Sequence, residues 1–171
     1  MDQEATRITI DTFKEVGIDL VVTLPEEPSH SVPDAARADP YFTTINAAGE
    51  GNGIALCAGA SIAGRDCVFV TGIAGLLNST WALSQMGMVY GAPIVIMASY
   101  RGDLGDHSGV PGSQLLMFKQ AAEPLLTALK LPYRIIERKA DLRRIIREAH
   151  RAAKDYESPI VLLLTGELFE E

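Results

Sequence analysis

Apolar residues fall into two alternating rhythms along this chain. Ile8, Ile10, Phe13 and Val16 recur at helical spacing across residues 4–16, and Gly17 closes that helix. Short, nearly unbroken apolar runs then recur at 20–24, 41–45, 67–71, 94–98, 133–136 and 159–165, each the length of a buried strand. Helix-compatible stretches separate them at 32–38, from Glu50 to near Gly64, from the Gly72 bend to about Tyr90, at 113–129 and at 139–156. Apolar strands alternating with helices predict a three-layer α/β/α domain around a six-stranded parallel sheet. Residues 26–31 read as a polar loop. Residues 100–112 carry four glycines and no apolar period, which marks a long loop of the kind that carries function or moves.

The stretch from Ile45 to Leu56 organises this pattern. It leaves a strand, passes a bend at Gly49, Gly51 and Gly53, and enters a helix of small residues with one carboxylate, Glu50, in the bend. In a parallel sheet such a bend lies at the carboxyl edge, where ligands bind. Glu50 is therefore either a helix-start residue or a group aimed at a ligand. Ala55, Gly59 and Ala63 recur every four residues of that helix, as needed for tight packing on its own sheet or for contact with another subunit.

Composition narrows the function. A chain of 171 residues suits one domain with a real core. A formal charge of −7 without a basic stripe argues against nucleic acid. The polar, acidic start shows no signal peptide, and no apolar run nears the roughly 18 residues of a membrane span. Cys57 and Cys67 sit in apolar stretches without metal spacing and read as buried thiols in a reducing cytoplasm. A dinucleotide fingerprint fails, because Ile54 stands at the third glycine position and Glu50 would repel a pyrophosphate. No Gly-Lys-Ser/Thr follows either glycine bend, Ser79 lacks a nucleophile elbow and reads as a polar helix residue, and the three histidines have no metal spacing. His150, on the charged last helix, reads as a surface residue. An acid among glycines and apolar neighbours suits recognition of a heteroaromatic ring nitrogen.

These residues resemble the pyrimidine-binding (Pyr) domain of thiamine-diphosphate enzymes. Gly49-Glu50-Gly51-Asn52 matches the family's activating glutamate. The segment from Gly17 to Pro25 resembles its opening helix–strand–proline signature. The segment from Thr71 to Asn78 resembles its threonine–glycine–proline–glycine–asparagine bend, with Ile73 and Ala74 in place of the usual glycine and proline; Gly91-Ala92-Pro93 before an apolar strand is a further trait. Ser99-Tyr100-Arg101-Gly102-Asp103, the stretch from Ala122 to Leu126 and Leu131-Pro132-Tyr133 look like the sulfopyruvate and phosphonopyruvate decarboxylase branch, whereas Asp106-His107-Ser108-Gly109 departs from it.

The resemblance implies a single Pyr domain over residues 1–171, serving as the α subunit of a two-chain decarboxylase of an anionic 2-oxo acid. Thiamine diphosphate is the implied cofactor. The Gly-Asp-Gly…Asn motif for magnesium and diphosphate is missing, since Gly102-Asp103-Leu104 and Gly105-Asp106-His107 both lack the final glycine. Mg2+ ligands are therefore expected on a partner β subunit, in a hetero-oligomer. Glu50 is expected to hydrogen-bond the aminopyrimidine nitrogen and favour its imino form. Pro25, Gly72, Ile73 and Asn78 are expected around the ring, and Arg101, His107 and His30 near the substrate. A carboligase subunit, a non-catalytic Pyr-like partner subunit and a flavodoxin-like binding module are the alternatives.

Overall fold

Asp2 starts the first helix, α1 (Gln3–Val16), by accepting the Ala5 N–H at 2.7 Å, and Gly17 ends it at φ 83°. The computed structural model describes residues 1–26, 29–102 and 112–169, with backbone alone over 112–116. The strands are β1 (Leu20–Thr23), β2 (Thr43–Asn46), β3 (Cys67–Gly72), β4 (Val95–Ser99), β5 (Tyr133–Ile136) and β6 (Ile160–Leu164). All six pair in parallel in the order β2-β1-β3-β4-β6-β5.

Side chains alternate across the sheet as the pleat dictates. Val21, Val68, Val70, Met97, Leu162 and Leu164 enter one core with α1, α2 (Ser31–Ala38) and the long amphipathic helix Lys139–Tyr156. Val22, Phe69, Ile96, Ala98, Val161 and Leu163 enter the other, with α3 (Glu50–Ile62), α4 (Ile73–Asn78) and α5 (Gly112–Ala128). The helix Lys139–Tyr156 is α6. Covering on both faces explains why the strands read as continuous apolar runs.

Three expectations change. The helix expected from the Gly72 bend to about Tyr90 is broken into α4, a single turn Thr80–Ala82 and a π-helical segment Leu83–Val89. Within that segment Gly87 faces Pro159 so closely that a Cβ would overlap the ring, which accounts for a glycine there. The face of Ala55, Gly59 and Ala63 is exposed, and a Cβ on Gly59 would meet nothing within 4 Å, so it does not pack on its own sheet. His150 is not a surface residue: its side chain is 15% exposed, with Nε2 3.2 Å from Asp66 Oδ2. Cys57 and Cys67 are buried and free, as expected.

Successive strands step from β1 outward to β2, then back across β1 to β3. The chain thus reverses direction between β1 and β3, and their carboxyl ends flank the crevice where open α/β sheets hold ligands.

Candidate active site

The end of β3 carries two bare backbone positions, Gly72 and Gly75, and a carboxylate rests on each. Glu50, the first residue of α3, lies half-buried against Gly75. A Cβ on Gly75 would stand 2.6 Å from Glu50 Cγ and 2.5 Å from Thr71 Oγ1, so only glycine leaves room for this acid. Asn78, the last residue of α4, donates its Nδ2 to Glu50 Oε2 at 2.9 Å. Oε1 has no hydrogen-bond partner among the described residues. Gly49 before it is extended and offers no side-chain cap, so the free amides at the start of α3 add positive potential beside the carboxylate.

The second carboxylate is Glu26, in the stretch expected from sequence to be a polar loop. It follows Pro25 at the exit of β1 and lies over Gly72, where a Cβ would overlap it. Ser99, the fully buried last residue of β4, donates its hydroxyl to Glu26 Oε2. Arg101 donates Nη2 to Oε1, and the ion pair is 15% exposed on the arginine and 18% on the glutamate. Arg101 Nε is buried and without a hydrogen-bond partner among the described residues. Tyr100, between Ser99 and Arg101, donates to Glu123 Oε1 at 2.7 Å, and Tyr133 donates to Glu123 Oε2 at 3.1 Å. The exit of β4 is thereby tied to α5 and β5. Thr23 Oγ1 donates to the Val70 carbonyl at 2.9 Å and ties the ends of β1 and β3.

Of the residues singled out from sequence, Glu50, Asn78, Gly72 and Arg101 gather around the end of β3. Gly72 faces the chain's own Glu26, and Arg101 is already paired. Ile73 has its side chain wholly inside the core, leaving only its backbone at the crevice, and Pro25 is exposed at the exit of β1. His30 stands at the start of α2, exposed, with Nδ1 3.2 Å from Asp34 Oδ2 on its own helix. His107 lies outside the described residues. The one sequence signal for Glu26 is positional, an acid one residue past the proline after a crevice strand, and it does not by itself single the residue out. Among the described residues, no group of three or more His, Cys, Asp or Glu side chains is arranged to hold a metal ion, and no helix is long and apolar enough to cross a membrane.

The architecture is the Pyr fold of thiamine-diphosphate-dependent decarboxylases. The thiamine diphosphate-dependent 4-hydroxybenzoylformate decarboxylase of Rhodococcus jostii superimposes on 96% of this chain with a TM-score of 0.72 and 18% identity, and the chain spans 30% of that longer polypeptide. The chain is similar along nearly its whole length to sulfopyruvate decarboxylase subunit alpha of Methanococcus maripaludis, at 28% identity over 97% of each protein. The subunit of the same name from Methanothermobacter thermautotrophicus is 29% identical over 80% of each. No protein-family model matches the chain. These two relatives are thus subunits of a carboxy-lyase.

Proposed function

We propose that this chain is the cofactor-activating α subunit of a two-chain, thiamine-diphosphate-dependent decarboxylase acting on an anionic 2-oxo acid. The observation that carries this reading is Glu50: a carboxylate at the sheet's carboxyl edge, one oxygen fixed by Asn78 and the other free to meet a ring nitrogen. Gly75 makes the room in which Glu50 lies, and the similarity to sulfopyruvate decarboxylase subunits supports the reaction class. Bound thiamine diphosphate would supply the carbon nucleophile and the electron sink for loss of carbon dioxide. Glu50 would hold the ring nitrogen's proton, and Asn78 would keep Glu50 oriented.

The diphosphate and Mg2+ would be held by a partner chain carrying a Gly-Asp-Gly…Asn motif, since this sequence has none. Exposed apolar residues along α3 and the segment after α4 support a seam with that partner. Gly51 packs near Ala82, next to Trp81, which is 75% exposed, and Leu56, Ile62, Val89 and Tyr90 are exposed as well. Clustered apolar surface of this kind marks protein contacts. Two buried free thiols fit a reducing, cytoplasmic setting.

Co-expression with a candidate partner tests the reading. Thiamine diphosphate retained by the mixture, together with carbon dioxide release from sulfopyruvate or phosphonopyruvate, is the expected result. Cofactor bound tightly by this chain alone would contradict it, and a coupled rather than a decarboxylated product would favour the carboligase.

A further inference from the structure

Ser99 and Arg101 converge from the exit of β4 as a hydroxyl and a guanidinium, a donor pair suited to a carboxylate or sulfonate. That donor pair is filled from within. Glu26, arriving from β1 across the bare backbone of Gly72, takes the Ser99 hydroxyl on one oxygen and Arg101 Nη2 on the other. We propose that Glu26 is a built-in competitor for the anionic tail of the substrate, and that a ligand must exchange with it to reach Arg101. The inference rests on the reading of an anionic 2-oxo acid.

Two features favour exchange over a permanent structural pair. The guanidinium fork is half used: Nη2 is engaged, while Nε is buried without a partner among the described residues. A buried donor left unmade is costly, and an anion presenting two oxygens to Nε and Nη2 would gain what Glu26 does not supply. The pair is also largely withdrawn from solvent, so an incoming anion feels the Glu26 charge with little screening. The consequence is selectivity. A tail with two coplanar or tetrahedral anionic oxygens can replace Glu26, whereas a neutral tail gains nothing from doing so. Glu26 acts through Arg101 and is a positioning and specificity residue rather than a catalytic one.

Sulfoacetate, an unreactive sulfonate dianion, tests the exchange by calorimetric titration into the full chain. Glu26→Gln keeps the size and one acceptor oxygen and removes the competing charge; it should tighten binding at least about fivefold. Glu26→Asp, which withdraws the charge by one methylene, should tighten it less. Glu26→Gln combined with Arg101→Ala should abolish the gain. Thermal unfolding confirms that each variant is folded. If neither folded Glu26 variant binds more tightly than the native chain, or if the gain survives loss of Arg101, the proposal is overturned. The titration does not read turnover. Tighter binding by a chain that supports no decarboxylation with its partner would therefore sink the proposed activity and leave the exchange standing, and unchanged affinity with normal turnover would do the reverse.

Discussion

Replacing Gly75 by alanine presses on Glu50 without deleting it. The new Cβ would stand 2.6 Å from Glu50 Cγ, while ordinary contact begins at 3.4 Å, so the acid's stem must retreat by about 0.8 Å. Thr71 Oγ1, at 2.5 Å, must turn aside too. Overpacking of this kind costs about 1–3 kcal/mol. Alanine in place of a helical glycine returns about 1 kcal/mol, so the net loss is about 0–2 kcal/mol. For a chain of this length each kcal/mol moves Tm by about 2–4 °C. Activity should suffer far more, because displacing a reacting group by about 1 Å costs about 100-fold. The assays are thermal unfolding of the chain and kcat/KM for decarboxylation by the assembled enzyme. A fall in Tm of a few degrees with a fall near two orders of magnitude in kcat/KM is expected. Turnover within twofold of the native enzyme would refute the claim that Glu50 must sit where Gly75 admits it.

Gly59→Ala should do the opposite in the isolated chain: its Cβ enters open space, so Tm should rise with a gain of about 0.5–1 kcal/mol, while affinity for the partner, measured by calorimetry, should fall if that face is the seam. Asp2→Ala removes the cap on α1 and an ion pair with Lys139, and should cost about 1–2 kcal/mol in a denaturant melt. His150 gives a pH dependence. Burial pushes its pKa below the usual 6.5, with Lys154 adding to the fall and Asp66 opposing it. Between the folded and unfolded values the unfolded chain binds the extra proton, so His150 favours the fold fully above about pH 6.5 and loses that contribution as pH drops. His150→Gln should flatten the fall in Tm between about pH 7 and 5; an unchanged slope would place the acid sensitivity elsewhere.

Strand and helix positions were legible because burial on both faces leaves so plain a pattern. The spans Tyr133–Ile136 and Lys139–Tyr156 emerge as read, and Glu50 falls on the first residue of its helix. The break after Asn78 was not legible. Nor was the close approach of Gly87 to Pro159 within the π-helical segment, a contact between residues far apart in the chain. The same limit hid Glu26, whose partners Ser99 and Arg101 come from a different strand, and the covering of His150 by Asp66. Periodicity reports which face of an element is buried; it does not report which charged side chains meet across two strand ends.

The most direct test of the account is the rate at which the thiazolium C2 proton of bound thiamine diphosphate exchanges with deuterium in the assembled two-chain enzyme. Glu50→Gln, which keeps the shape of the side chain and its contact with Asn78, should slow that exchange by at least about 100-fold while the cofactor remains bound. Exchange at the native rate in that variant would contradict the central claim, because the carboxylate would then have no part in activating the cofactor.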